Sequence, residues 1–341
     1  MQQTTGILLV NLGTPDSPAV PDVRKYLKEF LLDERVIDIP PFQRNLLVRG
    51  IIAPFRAPKS AKLYEKIWRP EGSPLLIYSR LLKNKLQLKL GDNYAVELAM
   101  RYQHPSINAG IQKLMERSCR EIIVVPLFPQ YASASNGSVI QKVMSIIKNH
   151  QAIPAIHFTG PFFDNPLFIK AFAEHGKKYN PENYDHILFS FHGVPERQIL
   201  KTCPENNCLT EFCCDTLHEK NYLCYRSQCF ATARSIAHEL NIPQEKYTVA
   251  FQSRLGKTPW IKPYSDVEIE NLANKGIKKI LAFSPSFVAD CLETIYEIGE
   301  EYNIAFRKMG GEKIQLVESL NDSDLFVECL KDIITNKPGC S

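Results

Sequence analysis

One histidine and a row of carboxylates are the side chains of this 341-residue sequence best suited to acid–base chemistry. His192 follows the apolar run ILFSF and precedes Gly193-Val194-Pro195, which would hold its backbone at the rim of a cleft. Because imidazole titrates near neutrality, a histidine at such a rim can accept a proton. The alternative is a structural histidine that bonds a neighbouring loop.

The segment ADCLETIYEIGEEY predicts a helix with acidic residues on one face, spaced three and four positions apart. These residues are Asp290, Glu293, Glu297 and Glu300 or Glu301. A solvated acidic face is the ordinary interpretation of such a row. The helix follows a predicted strand, however, and its apolar stripe is modest, so the row could instead line a cleft. Crowded carboxylates there raise one another's pKa and can relay protons.

Short apolar runs alternate with longer amphipathic stretches, which predicts parallel sheets with helices on both faces. The predicted strands are Ile7–Asn11, Glu121–Pro126, His186–Ser190, Tyr247–Phe251 and Lys279–Phe283. TGILLVNLGTP is echoed by DHILFSFHGVP, and REIIVVPLFPQYASAS by KKILAFSPSFVADC. Chance recurrence is the alternative, but the echoes keep their order. We therefore expect an α/β protein of two similar Rossmann-like halves with a cleft between them.

The expected domains are residues 1–160, residues 161–318 and a C-terminal helix with its tail, residues 319–341. The helix itself is predicted at Asp322–Thr335, packed back on the body. The formal net charge of +4 includes no concentrated basic stripe, which argues against a nucleic-acid partner. The N-terminus lacks the features of a signal peptide, and no apolar run reaches membrane-spanning length. We expect a cytoplasmic protein.

Six of the ten cysteines lie between Cys203 and Cys229, in a segment that predicts an inserted loop at about residues 200–229. Clustered thiols in a long cytosolic chain more often bind metal than form disulfides. Their spacing matches neither a zinc site of two CxxC pairs nor a plant-type ferredoxin. Ordinary thiols or a zinc site are the alternatives.

The stretch at about residues 41–62 mixes apolar and basic side chains. The apolar ones are Phe42, Leu46, Leu47, Ile51, Ile52 and Phe55, and the basic ones are Arg44, Arg49, Arg56, Lys59 and Lys62. Apolar anchors beside basic groups suit the surface of a membrane, so we predict a membrane-facing lip, peripheral on the inner face of the cytoplasmic membrane. A core helix with a solvated basic edge is the alternative.

Four segments carry a family resemblance over almost the whole chain: SFHGVPER, FVADCLETIYEI, PLFPQYASAS and QSRLGKTPWIKP. Together with NLGTP they resemble motifs of the ferrochelatases, here of a bacterial type with an internal cysteine-rich insert. The resemblance implies a fold like that of the class II chelatases. It also implies insertion of Fe²⁺ into protoporphyrin IX, giving protohaem and two protons in the terminal step of haem biosynthesis.

Carried over by motif, the resemblance places the catalytic pair on His192 and Glu293, which are also the residues that would meet the Fe²⁺ substrate. Asp290 and Glu297 continue a path for protons or metal. The implied porphyrin-binding residues are Leu12, Arg101, Tyr102, Gln130, Tyr131, Ser253 and Trp260. Whether His192 binds iron or accepts the pyrrole proton is open, and we favour the proton.

Some ferrochelatases carry a [2Fe-2S] cluster, and the resemblance extends that expectation to this insert. The expected ligands are Cys208, Cys213, Cys214 and Cys224, with Cys203 and Cys229 as substitutes. Adjacent ligands demand an awkward backbone, so Cys213 or Cys214 could be a spectator. The chain is expected to work as a monomer or a homodimer.

Three other functions compete with this prediction. A chelatase for coproporphyrin or sirohydrochlorin would have the same architecture, but Leu12 stands where coproporphyrin-using relatives tend to carry Tyr. A non-catalytic porphyrin or haem carrier would gain nothing from crowded carboxylates. An electron-transfer iron–sulfur protein would not need the rest of the chain.

Overall fold

Two four-stranded parallel sheets form the framework of the protein. The computed structural model describes residues 4–202, 208–210, 212–254, 256 and 258–336. The chain divides into two compact units, each containing one sheet. Unit 1 comprises Met1–Phe128, Ala132–Gly160 and Val327–Ser341, and unit 2 comprises Pro129–Tyr131 and Pro161–Phe326. The predicted α/β class with two Rossmann-like halves is confirmed.

The strands of unit 1 are β1 (Thr5–Gly13), β2 (Tyr94–Tyr102), β3 (Glu121–Pro126) and β4 (Ala155–Phe158), in the order β2-β1-β3-β4. Its helices are α1 (Val20–Leu31), α2 (Pro41–Asn45), α3 (Ala53–Ile67), α4 (Pro74–Leu90), α5 (Ile107–Glu116) and α6 (Ser138–Ile147). Two π-helical segments, Leu46–Ile52 and Ser133–Gly137, lead into α3 and α6.

The strands of unit 2 are β5 (His186–His192), β6 (Tyr247–Gln252), β7 (Lys279–Phe283) and β8 (Lys313–Leu316), in the order β6-β5-β7-β8. Its helices are α7 (Pro166–Lys177), α8 (Glu196–Thr202), α9 (Tyr225–Glu239), α10 (Ser265–Asn274) and α11 (Asn303–Lys308). A π-helical segment, Glu293–Tyr302, runs into α11, and single 3₁₀ turns lie at Pro181–Asn183, Glu219–Asn221 and Gln244–Lys246.

The two sheets share one connectivity, because in each the first strand lies between the second and the third. One pair of echoed segments contains these first strands, β1 and β5, and the other pair contains the third strands, β3 and β7. In such a sheet the loops after the first and third strands diverge to opposite faces and leave a crevice at the carboxyl ends. In unit 2 that position lies after β5 and β7.

Strand β5 is buried along its length until its last residue, His192, which is half-buried. Helices cover both faces of its sheet. On one face Phe189 stacks on Phe283 of β7, with ring centroids 5.2 Å apart. Helix α7 approaches this face at Gly176, where a Cβ would lie 2.6 Å from the Phe283 ring. The fully covered sheet explains why its strands read as continuous apolar runs.

The last helix, α12 (Asp324–Thr335), begins two residues later than predicted. Its Glu328 forms an ion pair with Lys89 of α4, both within unit 1. Residues 337–341 of the predicted tail lie outside the described residues. The domain boundaries at residues 160 and 318 stay predictions.

The predicted lip is a helical stretch made of α2, a π-helical segment and α3. Phe42, Leu46, Ile51 and Phe55 are all more than half exposed on it. Arg44 does not belong with the basic groups of this surface, because its buried guanidinium donates to the carbonyls of Ile37 and Ile39. Within the described part of the chain, no helix is both long and apolar enough to cross a membrane.

The predicted insert is only partly irregular. Residues 200–202 belong to α8, and residues 225–229 form the start of α9. Between them, the described residues contain one 3₁₀ turn, Glu219–Asn221. Cys203, one of the substitute cluster ligands, lies outside the described residues.

Candidate active site

His192 ends β5 and lies beside Gln252, the last residue of β6, in the parallel register. Its ring Nδ1 is 2.7 Å from the carbonyl oxygen of Gly193. A carbonyl oxygen can only accept a hydrogen bond, so Nδ1 carries the ring proton in the neutral imidazole. Nε2 therefore keeps its lone pair and is the atom able to accept a proton or contact a metal.

Gly193 is required by the close packing next to the histidine. A Cβ at this position would lie 2.8 Å from the carbonyl oxygen of Gln252 and 3.1 Å from the ring of Trp260. The Gly193 N–H donates to that same Gln252 carbonyl at 2.9 Å. The HGVP motif thus joins the ends of β5 and β6 directly behind His192.

Glu297 is the most strongly bonded carboxylate of the acidic row. It accepts hydrogen bonds from the Ser253 N–H at 3.1 Å, the Ser253 hydroxyl at 2.6 Å, the Gln252 side-chain amide at 3.2 Å and the Tyr302 hydroxyl at 3.1 Å. Ser253 reaches it with both donors from a left-handed backbone conformation, φ 66°. These donors hold the carboxylate in one orientation.

The π-helical segment explains how Glu297 and Tyr302 meet. Its hydrogen bonds run from residue i to i+5, so side chains five positions apart are stacked on one face. The acidic row was predicted from the spacing of an α-helix, but the structure has a π-helix over Glu293–Tyr302. Glu297 bonds Tyr302, while Glu301 is exposed to solvent.

Burial raises the pKa of Glu297. The hydrogen bond from Ser253 and the charge of protonated His192 lower this pKa, whereas the negative charge of Glu293 raises it. Gln252 connects the cluster of His192, Glu293 and Glu297 within unit 2. It pairs with His192 in the strand register, and its side-chain amide donates to the Glu297 carboxylate and to the Glu293 carbonyl, the latter at 3.5 Å.

Asp290 has a different environment from the two glutamates. Its carboxylate accepts from the Ser319 N–H at 3.1 Å, the Thr294 hydroxyl at 3.2 Å and the Asn321 side-chain amide at 2.8 Å. Its own N–H donates to Asn321 at 2.9 Å. Asp290 therefore ties the start of the π-helical segment to the loop that follows β8.

Of the predicted porphyrin-binding residues in unit 2, Ser253 and Trp260 lie beside this cluster. The Trp260 ring centroid is 6.5 Å from that of His192. Gln130 and Tyr131 are held on α9 instead: the Gln130 amide donates to Thr232 at 3.0 Å, and the Tyr131 N–H donates to Gln228 at 2.5 Å.

The remaining predicted residues belong to unit 1. Leu12 is half-buried near the end of β1. Arg101 donates to Asp33 at 2.5 Å and to the Ser138 hydroxyl at 2.6 Å. The fully buried Tyr102 donates to the same Asp33 at 2.9 Å. The Arg101–Tyr102 pair is thus bonded within its own unit.

Four residues of the site were missed from the sequence: Gln252, Tyr302, Tyr225 and Ser286. The last two contact the His192 backbone, whose carbonyl oxygen accepts from the Tyr225 hydroxyl and whose N–H donates to the Ser286 hydroxyl. Tyr302 would have been found by reading its five-residue spacing from Glu297 as π-helical. Gln252 directly follows the predicted strand Tyr247–Phe251. Tyr225 and Ser286 carry no pattern that distinguishes them, because only the folded chain brings them to His192.

The thiols of the cysteine segment partly come together. Cys213 and Cys214 have their sulfur atoms 3.5 Å apart, and Cys214 also hydrogen-bonds Cys224. The Arg226 guanidinium is 3.1 Å from the Cys214 sulfur. Cys208 is disulfide-bonded.

Cys224 is the N-cap residue of α9. The hydrogen bond from Cys214 and the N–H groups of Ser227 and Arg226 lower its pKa, against the effect of burial. Among the residues that the structure describes, no group of three or more His, Cys, Asp or Glu side chains is arranged to hold a metal ion. The described thiols therefore do not fit a four-thiolate cluster as they stand.

Comparison with known proteins gives consistent matches. A family model described as Ferrochelatase matches residues 4–338. A ferrochelatase of Legionella pneumophila (strain Lens) is 46% identical over 337 residues, covering 97% of this chain and 99% of the relative. A ferrochelatase of Coxiella burnetii is 44% identical over 330 residues, covering 95% and 91%.

Among solved structures, the sirohydrochlorin chelatase SirB of Bacillus subtilis subspecies spizizenii in complex with cobalt has a TM-score of 0.53 at 9% identity, over 99% of this chain and 98% of that one. SirB from Bacillus subtilis with Fe³⁺ has a TM-score of 0.52 at 11% identity, over 98% and 97%. At such identities the likeness concerns the fold alone. The family model and the relatives, which span nearly the whole chain, settle the assignment: the chain belongs to the ferrochelatase family.

Proposed function

We propose that the chain inserts Fe²⁺ into protoporphyrin IX, the reaction for which its family is named, and that His192 accepts a pyrrole proton. A free porphyrin carries two pyrrole N–H protons that must leave as the metal enters, so the site needs a base at the ring. The hydrogen bond from His192 Nδ1 to Gly193 carries this proposal. It leaves Nε2 as the proton acceptor, and the products are protohaem and two protons.

The half-buried glutamates of the π-helical segment supply the path by which those protons leave. Because burial raises the pKa of Glu297, its carboxylate can take up and release a proton nearer to neutral pH than an ordinary glutamate can. Glu293, at the start of the same π-helical segment, would pass the proton between His192 and Glu297. Asp290 was predicted on this path, but its three hydrogen bonds favour a role in holding the start of the segment.

Iron is the second substrate, and the same residues are suited to receive it. Neutral imidazole and carboxylates are both ligands for Fe²⁺. In the role that we favour, His192 takes the proton at one face of the ring and Fe²⁺ enters from the opposite face. If His192 bound the metal instead, His192 and Glu293 would be its ligands on the same face. We propose that the chain works as a monomer or a homodimer.

Porphyrin binding is assigned to the residues implied by the family motifs. Trp260 and Ser253 are supported by their positions beside His192 and Glu297. Leu12 favours protoporphyrin over coproporphyrin. Arg101 and Gln130 already bond Asp33 and Thr232, so we propose that each supports the porphyrin-binding residues of its own unit.

The acidic cluster also favours an enzyme over a porphyrin carrier. A carrier needs one axial ligand, and burying Glu297 next to Glu293 would only cost it stability. A chelatase for another tetrapyrrole, coproporphyrin or sirohydrochlorin, would use the same chemistry and is tested with the substrates below.

A [2Fe-2S] cluster in the cysteine segment is part of the proposal. The proximity of the Cys213, Cys214 and Cys224 thiols supports it, as does the positive charge of Arg226, which would favour thiolates. The disulfide at Cys208 opposes it and would have to be reduced for that sulfur to serve as a ligand. Such a cluster could transfer electrons, but no step of the proposed chelation needs it.

The exposed apolar side chains of the α2–α3 stretch support a peripheral membrane location on the inner face of the cytoplasmic membrane. Phe42, Leu46, Ile51 and Phe55 are spaced by four, five and four residues, and the interval of five spans the π-helical segment. A π-helix has more residues per turn than an α-helix, so this spacing keeps the four on one side. Arg49, Arg56, Lys59 and Lys62 are exposed nearby in the sequence and would meet anionic lipid.

Replacing His192 by Ala or Glu293 by Gln should lower the rate of Fe²⁺ insertion into protoporphyrin IX on the order of 10²- to 10⁴-fold, because each removes a proton-transfer group. The measurement is the Soret shift under anaerobic conditions, repeated with coproporphyrin and sirohydrochlorin. Glu301→Gln, an exposed carboxylate near the end of the same segment, is the matched control. Parent-like rates in both variants would exclude the proposed mechanism. Faster insertion into coproporphyrin or sirohydrochlorin would show that this tetrapyrrole, and not protoporphyrin IX, is the substrate.

Glu297→Gln should lower activity, and its melting temperature relative to that of the parent should rise as pH rises from about 4.5 to neutral. The folded state holds the Glu297 proton more tightly than the unfolded state, whose pKa is near 4.5. The stability of the parent therefore falls as pH rises from that value through the raised pKa. The pH-dependent part of this difference should be roughly 2–4 °C for each kcal/mol of relieved desolvation, and should shrink as pH falls toward 4.5. A pH-independent cost remains, because at either oxygen position the Gln NH₂ group would face an N–H donor, from Gln252 or from Ser253. A difference that does not vary with pH would contradict this assignment, and Glu301→Gln again serves as control.

Protein purified without oxygen should be coloured and contain iron and acid-labile sulfide in about equal amounts, as the composition of a [2Fe-2S] cluster requires. Cys224→Ser should remove both, because it deletes a proposed ligand. Cys119→Ser, a buried thiol of unit 1, should retain both. Colourless parent protein with no bound iron would refute the cluster.

The parent chain should co-sediment with vesicles that contain anionic lipid. A combined Phe42→Ser, Ile51→Ser, Phe55→Ser variant should bind at least about tenfold more weakly, because each removed side chain loses apolar burial in the interface. Leu88→Ser is the matched control, since Leu88 is 84% exposed on α4. Equal sedimentation of the triple variant and the parent would rule out the lip.

A further inference from the structure

The backbone around His192 is held at three points. The Tyr225 hydroxyl donates to the His192 carbonyl oxygen at 2.7 Å. The His192 N–H donates to the Ser286 hydroxyl at 3.2 Å, and the Gly193 N–H donates to the Gln252 carbonyl at 2.9 Å. The His192 carbonyl and the Gly193 N–H belong to one peptide unit, so that planar unit is bonded at both ends.

Tyr225 is built into the protein interior at this point. It is the first residue of α9 and only 6% exposed. Its hydroxyl also lies within hydrogen-bonding range of Cys229, one helical turn later, and of Ser286. A buried hydroxyl must find partners, and this one donates its proton to the histidine backbone.

The orientation of this peptide unit bears on the imidazole. The ring proton on Nδ1 is donated to the carbonyl of Gly193, the next peptide along. A rotation of the peptide between His192 and Gly193 would therefore lengthen or misalign that hydrogen bond. The ring would then be able to populate the other neutral tautomer, with the proton on Nε2, which cannot accept a pyrrole proton.

We propose that Tyr225 is a positioning residue for His192, which holds the peptide after the histidine so that Nδ1 keeps the ring proton and Nε2 stays available as the base. Ser286 assists from the preceding peptide. This inference rests on the proposed role of His192. Tyr225 itself does not touch the porphyrin in this proposal.

A purely structural role for Tyr225, as a packing residue at the start of α9, predicts different results. Loss of packing would lower the melting temperature and the amount of active protein without changing the ring tautomer. Loss of positioning would lower kcat while leaving the KM values for porphyrin and Fe²⁺ unchanged, because the binding surfaces are not altered.

The test uses the full chain with Tyr225→Phe, which removes only the hydroxyl. Tyr222→Phe is the matched control, because it makes the same change three residues earlier on a side chain that is 40% exposed. For Tyr225→Phe we expect kcat to fall on the order of 10- to 100-fold with unchanged KM values, the range known for small misplacements of a catalytic group. Parent-like kcat, or a rise in KM alone, would overturn the proposal.

Nitrogen NMR of ring-labelled histidine provides a readout that does not depend on activity. The His192 signal is identified by its loss in His192→Ala, and the parent should show the Nδ1-protonated form. Tyr225→Phe should shift part of that signal to the Nε2-protonated form, and Tyr222→Phe should not. Should His192→Ala retain full activity, the proposed function fails while the tautomer measurement still tests the positioning by Tyr225.

Ser286→Ala is the second variant, for the case in which Tyr225→Phe does not fold. It removes the acceptor of the His192 N–H from the opposite side and leaves α9 intact. A reduced kcat and a mixed tautomer in Ser286→Ala would support backbone positioning of His192. A parent-like tautomer in every folded variant would overturn it.

Discussion

The hydrogen bond between the His192 ring and the Gly193 carbonyl is the interaction on which the rest of the site depends. It decides which ring nitrogen carries the proton and therefore which one can act. This hydrogen bond also constrains the neighbouring residues. Residue 193 has to be glycine, because a Cβ there would come too close to the Gln252 carbonyl and the Trp260 ring. The strand register that places His192 beside Gln252 is thus part of the same arrangement.

The acidic side of the site depends on a second constraint: the Glu297 carboxylate needs hydrogen-bond donors to replace the water that it loses on folding. Glu297 is taken out of water but receives four hydrogen bonds, from Gln252, Ser253 and Tyr302. Burial raises its pKa, and the donors keep the charged form accessible. A carboxylate balanced in this way is suited to taking up and releasing protons, which a plain salt bridge would not allow.

The repeated architecture shows what the fold contributes to this chemistry. Both sheets have their first strand between the second and the third, and in unit 2 the residues that follow β5 and β7 form the site. The π-helical segment after β7 then stacks Glu297 with Tyr302. The corresponding strands of unit 1, β1 and β3, end in the NLGTP and PLFPQ motifs. NLGTP lies wholly in unit 1, whereas Pro129 and Gln130 of PLFPQ belong to unit 2.

The amino-acid sequence by itself was sufficient for the α/β class and for the five predicted strands, because strand burial is a local property. It also pointed to His192, Glu293 and Glu297 through their side-chain chemistry, and their catalytic roles stay predictions. Gly193, Ser253 and Trp260 could be identified from the sequence motifs that contain them. The tautomer of His192, the anchoring of Asp290 by Ser319 and Asn321, and the burial of Arg44 were decided only by tertiary structure. Each depends on a partner that the fold brings close in space, which no spacing along the chain encodes.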